Sequence, residues 1–73
     1  SRLKEFYNNE VKLIKEEISK QINKTKSKVV KIKLNEVSLL IKELNKRTVI
    51  KSDHLVDLLQ YHSLLEELRK ANG

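Results

Sequence analysis

The sequence predicts one small domain, spanning residues 1–73, that is mainly α-helical and contains one short β-strand. Three observations lead to this prediction. Apolar residues recur every three or four positions in the N-terminal third and again in the C-terminal third, which is the period of an amphipathic helix. Between these regions, six residues alternate with a period of two. Proline is absent and the only glycine is Gly73, so changes of period must mark the element boundaries.

The first predicted helix spans residues 3–24. Its apolar residues follow steps of three and four and form one stripe: Leu3, Tyr7, Val11, Ile14, Ile18 and Ile22, widened by Phe6 and Leu13. Such a stripe is buried against the rest of a domain. The stripe stops after Ile22, where lysine, asparagine and hydroxyl residues follow, so the helix is expected to fray there.

The predicted strand spans residues 29–34. Strict alternation places Val30, Ile32 and Leu34 on one side. The other side then carries Val29, Lys31 and Lys33. β-Branched residues in this pattern favour a strand with one buried face, although a run of six residues is also compatible with a loop or a helix.

Two further helices are predicted at about 36–46 and 53–70. Asn35 suits the N-cap of the first, and Ser52 with Asp53 suits the N-cap of the second. The predicted core combines the apolar faces of all three helices: Ile14, Ile18, Leu40, Ile41, Leu44, Leu55, Leu58 and Leu65.

The net charge of +6 is confined to one segment. Six lysines and no acidic residue lie between Ile18 and Asn35. The rest of the chain carries ten basic and ten acidic residues. A local excess of this kind is typical of a surface that binds a polyanion. A solvated lysine-rich loop is the simpler interpretation, and an anionic membrane surface is disfavoured because no apolar interfacial face accompanies the lysines.

Enzymatic and metal-binding functions are not expected. The sequence has no cysteine, no glycine-rich phosphate loop and no Ser–His dyad on one helix face. His54 and His62 are eight residues apart, which does not place them as an i,i+4 metal-binding pair. We therefore predict no catalytic residue, no metal and no cofactor, and no small-molecule substrate.

Residues 29–66 resemble the ribbon-helix-helix family of DNA-binding proteins. The resemblance rests on VVKIKL, followed by NEVSLLIKELNKR and TVIKSDHLVDLLQYH. It implies a homodimer in which the strands of two subunits pair as an antiparallel ribbon that enters the major groove. Val29, Lys31 and Lys33 would then face the bases, and Val30, Ile32 and Leu34 would be buried.

The functional prediction is therefore an intracellular, dimeric transcriptional regulator or architectural factor that binds duplex DNA through the lysine-rich segment 20–33. Lys24, Lys26 and Lys28 are expected to contact phosphates, and Lys31 and Lys33 to read bases as well. The backbone amides behind Ser52 offer a further phosphate site.

Two alternatives stay open at this point. A plain three-helix interaction module would carry the basic segment incidentally. A helix-turn-helix would bind DNA through the start of the third helix, at Ser52, Asp53, His54 and Asp57. No apolar run is long enough to span a membrane.

Overall fold

The computed structural model describes residues 2–71 as three helices joined by two short connections. The helices are α1 (Arg2–Lys24), α2 (Lys28–Leu44) and α3 (Ser52–Ala71). The mainly α-helical prediction is confirmed. The predicted strand at 29–34 is wrong, because residues 2–71 contain no strand, and without it there is no two-stranded ribbon.

The second helix begins eight residues before the predicted start at 36. Its buried residues follow steps of four, three, four and three: Val30, Leu34, Val37, Ile41 and Leu44. This continuous helical stripe includes two members of the supposed strand. A strand would bury Ile32 together with Leu34, yet Ile32 is 58% exposed and Leu34 is 0% exposed. Asn35 lies inside α2 and is therefore not an N-cap.

Ser27 caps the start of α2. Its backbone is extended, with φ −84° and ψ 124°, and its hydroxyl oxygen accepts a hydrogen bond from the Val30 N–H at 3.3 Å. The Ser27 N–H in turn donates to the Thr25 hydroxyl oxygen at 3.2 Å. These bonds explain why the chain turns at residues 25–27 and then enters a helix, because the N-cap side chain satisfies an amide that lacks an intrahelical partner.

Replacing this cap tests the start of α2. We expect Ser27→Ala to lower the free energy of unfolding by about 0.5–2 kcal/mol, the usual cost of losing a hydroxyl N-cap. Urea denaturation followed by circular dichroism would measure it. Ser19→Ala is the matched control, because Ser19 is exposed in the middle of α1 and should change stability by less than about 0.5 kcal/mol. Equal effects of both variants would contradict the cap.

The core lies along the line where the three helices meet. Among residues 2–71, it is built from twelve buried residues: Tyr7, Val11, Ile14, Ile18, Val30, Leu34, Val37, Ile41, Leu44, Leu58, Leu65 and Leu68. Most of the predicted core is therefore correct. Leu40 is the exception, since it is 52% exposed, and Leu55 is only partly buried against the core.

Two polar contacts fix the ends of the bundle. At one end, the buried Gln21 side chain donates from Nε2 to the Leu65 carbonyl oxygen at 3.0 Å, linking α1 to α3. At the other end, the Tyr7 hydroxyl donates to the Leu44 carbonyl oxygen at 3.0 Å, where α2 finishes. The Tyr7 ring also lies against the His54 ring, with centroids 6.2 Å apart. The helices therefore run up, down and up.

Lys51, rather than Ser52, occupies the cap position before α3. The Lys51 N–H donates to His54 Nδ1 at 3.1 Å, and the His54 N–H donates to the Lys51 carbonyl oxygen. This arrangement resembles a capping box with histidine in the place of the usual glutamate. Across residues 2–71, no helix is long and apolar enough to cross a membrane.

Candidate nucleic-acid interface

The six lysines of segment 20–33 surround the turn at residues 25–27. α1 ends at Lys24 and α2 begins at Lys28, so the segment occupies one end of the bundle. All six side chains are exposed. None of them forms an ion pair with a carboxylate of the described chain. Their positive charge is therefore directed to solvent and is not used within the fold.

The start of α2 is electrostatically unfavourable for this charge. Lys28 is the first residue of the helix, Lys31 follows one turn later, and the first turn contains no acidic residue. The N-terminus of a helix carries partial positive charge, so acidic side chains stabilise it and basic ones do not. Folding alone does not favour lysines here, whereas a bound anion would.

Helical geometry divides the six lysines between different faces. Lys31 and Lys33 are two residues apart, which places them about 200° apart around α2. They cannot form the shared outer face that the strand implied. Lys20 and Lys24 lie on the side of α1 that faces α3, where they line a cavity with Glu17, Gln21 and Arg69.

A more uniform basic surface lies between α1 and α2. A surface groove of about 260 Å³ runs between these two packed helices. It is lined by Lys15, Ile18, Ser19, Ile22, Ser38 and Lys42. On α2, steps of three and four place five residues on the groove side: Lys28, Lys31, Asn35, Ser38 and Lys42. These five residues, with Lys15 and Ser19 of α1, are called the basic face below. None of these seven residues is acidic; Glu43, beside the face, lines a cavity with Lys15 and Lys42.

Sequence reasoning missed Lys15, Ser38 and Lys42. The sequence does contain the pattern that links them, because polar and basic residues recur at steps of three and four from Lys28 to Lys42. This helical spacing can be recognised only when residues 28–44 are treated as one helix. The interpretation of 29–34 as a strand broke that row in two, and Lys15 joins it only through the packing of α1 on α2.

Ser52 lies away from the lysines. It is the first residue of α3, at the end of the bundle where Tyr7, Leu44 and His54 meet. The turn at residues 25–27 is at the opposite end. A ligand held by the amides at Ser52 would therefore not contact the Lys26 region without spanning the length of the bundle.

Acidic residues collect on the side of the bundle between α1 and α3. A cavity of about 370 Å³ on this side is lined by Leu13, Glu16, Glu17, Lys20, His62, Leu65 and Glu66. Nearby, His62 Nε2 lies 2.9 Å from a carboxylate oxygen of Glu10. The α1–α2 side is thus basic and the α1–α3 side is mixed with an acidic excess, so a polyanion would approach from the α1–α2 side.

Comparisons with protein-family models, with curated protein sequences and with solved structures give no match for this chain. Over the part of the chain that the structure describes, no group of three histidine, cysteine, aspartate or glutamate residues is placed to hold a metal ion. Surface charge and helix packing are therefore the features of this chain that bear on its function.

Proposed function

We propose that this chain binds duplex DNA through its basic face, mainly by contacts to phosphates. The observation that carries the proposal is the row on α2, in which Lys28, Lys31 and Lys42 share one side with Asn35 and Ser38. Lys15 and Ser19 extend the row across the groove. Lysine supplies charge, and serine and asparagine supply neutral hydrogen-bond donors of the kind that contact phosphate oxygens.

The dimensions of the row suit a nucleic-acid backbone. Lys28 and Lys42 are fourteen residues apart, which corresponds to about 21 Å along a helix. B-DNA presents on the order of ten phosphate charges over that length of its axis. Duplex is favoured over single-stranded RNA, because base stacking needs aromatic side chains and Phe6, Tyr7 and Tyr61 all lie outside the basic face.

The mode of binding that follows is largely independent of DNA sequence. The prediction that Lys31 and Lys33 read bases depended on a ribbon, and α2 separates these two side chains. Contacts to phosphates carry no direct sequence information. An architectural factor is therefore a better description than a regulator with a defined operator.

Salt-resolved binding measurements test this proposal. We expect Lys31→Ala and Lys42→Ala each to reduce the slope of log K against log salt by about 0.9, because each removes one phosphate contact. Fluorescence anisotropy with a labelled duplex of mixed sequence would give the slopes. The loss of affinity should be similar for duplexes of different sequence.

Lys33→Ala is the matched control for both variants. Lys33 is exposed on the same helix but lies outside the basic face, so its removal should change the slope much less. Two results would contradict the proposal: no binding by the wild type at about 50 mM salt, where phosphate contacts are strong, or equal effects of Lys33→Ala and Lys31→Ala.

A protein-interaction function is the second candidate, and one observation favours it. Eight large apolar side chains of the three helices are more than half exposed: Phe6, Leu13, Val29, Ile32, Leu39, Leu40, Val56 and Leu59. Exposed apolar side chains that lie close together mark sites of protein association, and two such groups occur among the eight: Phe6 with Leu59, and Leu39 with Leu40. It does not compete with the DNA proposal, because none of these residues belongs to the basic face.

A further inference from the structure

One surface of α1 and one surface of α2 carry the same pattern of residue types at the same spacing. Every member is exposed except Glu17, which is half-buried and accepts a hydrogen bond from Gln21 Nε2 at 3.0 Å. On α1 the pattern is Arg2, Phe6, Asn9, Leu13 and Glu17. On α2, twenty-six positions later, it is Lys28, Ile32, Asn35, Leu39 and Glu43. In both helices a basic residue begins the row, two apolar residues flank an asparagine, and a glutamate ends it. We call these rows the α1 stripe and the α2 stripe.

Each stripe is self-complementary in an antiparallel pair of helices. When two copies of the row run in opposite directions, the basic residue of one lies beside the glutamate of the other. The first apolar residue then lies beside the second apolar residue of the partner. The apolar members are available for such a contact, with Phe6 54% and Leu13 51% exposed on α1, and Ile32 58% and Leu39 63% exposed on α2.

The surroundings of the α1 stripe favour it as the interface. Phe6 borders an apolar cavity of about 330 Å³ between α1 and α3, together with Glu10, Leu55, Leu58, Leu59 and His62. Leu59 is 65% exposed. A helix placed on the α1 stripe would therefore contact two helices at once. On the α2 stripe, Leu39 and Glu43 line a cavity to which α1 contributes Lys15, so a helix placed there would meet a basic side chain of α1 and no apolar one.

The distribution of charge over the three helices also favours the α1 stripe as the interface. α3 is the one helix of the three with an acidic excess, four acidic residues against two basic ones. α2 has four lysines and two glutamates. Two chains that each carry a formal charge of +6 repel one another least when they meet through their least basic sides.

We propose that a second copy of this chain packs on the α1–α3 side, with the two α1 helices antiparallel across a twofold axis. In this register Phe6 packs against the partner's Leu13, and Arg2 pairs with the partner's Glu17. By symmetry each contact occurs twice, as in any isologous dimer. The two α1 and two α3 helices then form a four-helix layer, a packing that covers both Leu59 side chains.

The dimer is expected to be weak. A standard stable interface buries about 800 Å² of each partner, and the apolar part of this one extends only from Phe6 to Leu13 on α1, about 10 Å. We expect dissociation in the micromolar range, typical of small interfaces. The basic faces lie on the α1–α2 sides and remain open on both protomers, so the inference does not depend on DNA binding.

Sedimentation equilibrium over a range of protein concentrations tests the proposal. We expect the wild type to approach twice the monomer mass at about 100 µM, and Leu13→Lys and Leu59→Lys to remain monomeric, because a lysine ammonium cannot be buried unpaired at the contact. Both residues are exposed, so circular dichroism should show an unchanged helical fold. Ile32→Lys is the matched control on the α2 stripe and should dimerise like the wild type.

A charge exchange tests the register itself. Arg2→Glu and Glu17→Arg should each weaken the dimer several-fold, because each places like charges side by side. The double variant restores opposite charges across the twofold axis, so it should recover the wild-type mass. A wild type that stays monomeric would overturn the proposal and leave the surface to another partner. Dissociation by Ile32→Lys but not by Leu59→Lys would assign the interface to α2, and an unrecovered double variant would overturn the antiparallel register.

Discussion

Leu34→Ala is expected to lower the free energy of unfolding by about 2–5 kcal/mol, the range for removing a fully buried leucine side chain from a packed core. Leu34 is 0% exposed at the centre of α2. Ile32→Ala, two positions earlier, should change stability by less than about 0.5 kcal/mol, because Ile32 is 58% exposed. The two variants together distinguish a helix from a strand over residues 28–34, because a strand would bury both side chains on one face.

Urea denaturation of both variants would measure this difference. Each variant serves as the control for the other, because the two residues lie in the same helix and the two substitutions remove similar side-chain volumes. Large costs at both positions would show that Ile32 and Leu34 share a buried face and would contradict the helix over residues 28–34. A small cost at both would place Leu34 outside the core.

Tyr7→Ala is expected to cost about 3–5 kcal/mol, as for other buried aromatic residues. The side chain is 0% exposed and joins the start of α1 to the end of α2. Tyr7→Phe isolates the hydroxyl group. We expect it to cost about 1 kcal/mol, because the Leu44 carbonyl oxygen keeps a second hydrogen bond from the Arg47 N–H at 3.3 Å.

Phe6 provides the matched control for Tyr7. It is the adjacent aromatic residue in α1 but is 54% exposed, so Phe6→Ala should cost far less than Tyr7→Ala when both are measured at concentrations where the chain is monomeric. A comparable loss for the two variants would mean that α1 is rotated relative to the core described above.

Tyr7 should also make stability depend on pH in the alkaline range. Burial raises the pKa of the Tyr7 hydroxyl, and the smaller effect of the nearby Arg47 charge lowers it. Above about pH 10, a tyrosine in the unfolded chain loses its proton, while the folded state retains it. The unfolded state then binds fewer protons, so stability falls as pH rises through this range.

Comparison of the wild type with Tyr7→Phe isolates this effect, because the two proteins differ only in the Tyr7 hydroxyl group. We expect the wild type to lose stability more steeply than Tyr7→Phe between about pH 9 and 11. Parallel pH profiles from thermal unfolding would contradict the raised pKa.

The sequence by itself determined the helices at the two ends of the chain. The predicted ranges 3–24 and 53–70 differ by one residue at most at each end from Arg2–Lys24 and Ser52–Ala71. A long amphipathic pattern identifies a helix in this way because many apolar residues follow the same helical period. The concentration of positive charge between Ile18 and Asn35 was likewise determined by sequence alone.

Only the tertiary structure decided whether residues 28–35 form a helix or a strand. Over six residues, β-branched alternation and a helical stripe are nearly indistinguishable, since Val30 and Leu34 fit both patterns. Packing resolved the ambiguity, because Val37, Ile41 and Leu44 continue the helical stripe and are buried with Val30 and Leu34 against α1 and α3. That same packing decided which lysines share a face. Charge is a property of composition, whereas a face exists only once the period of the backbone and the neighbouring helix are fixed.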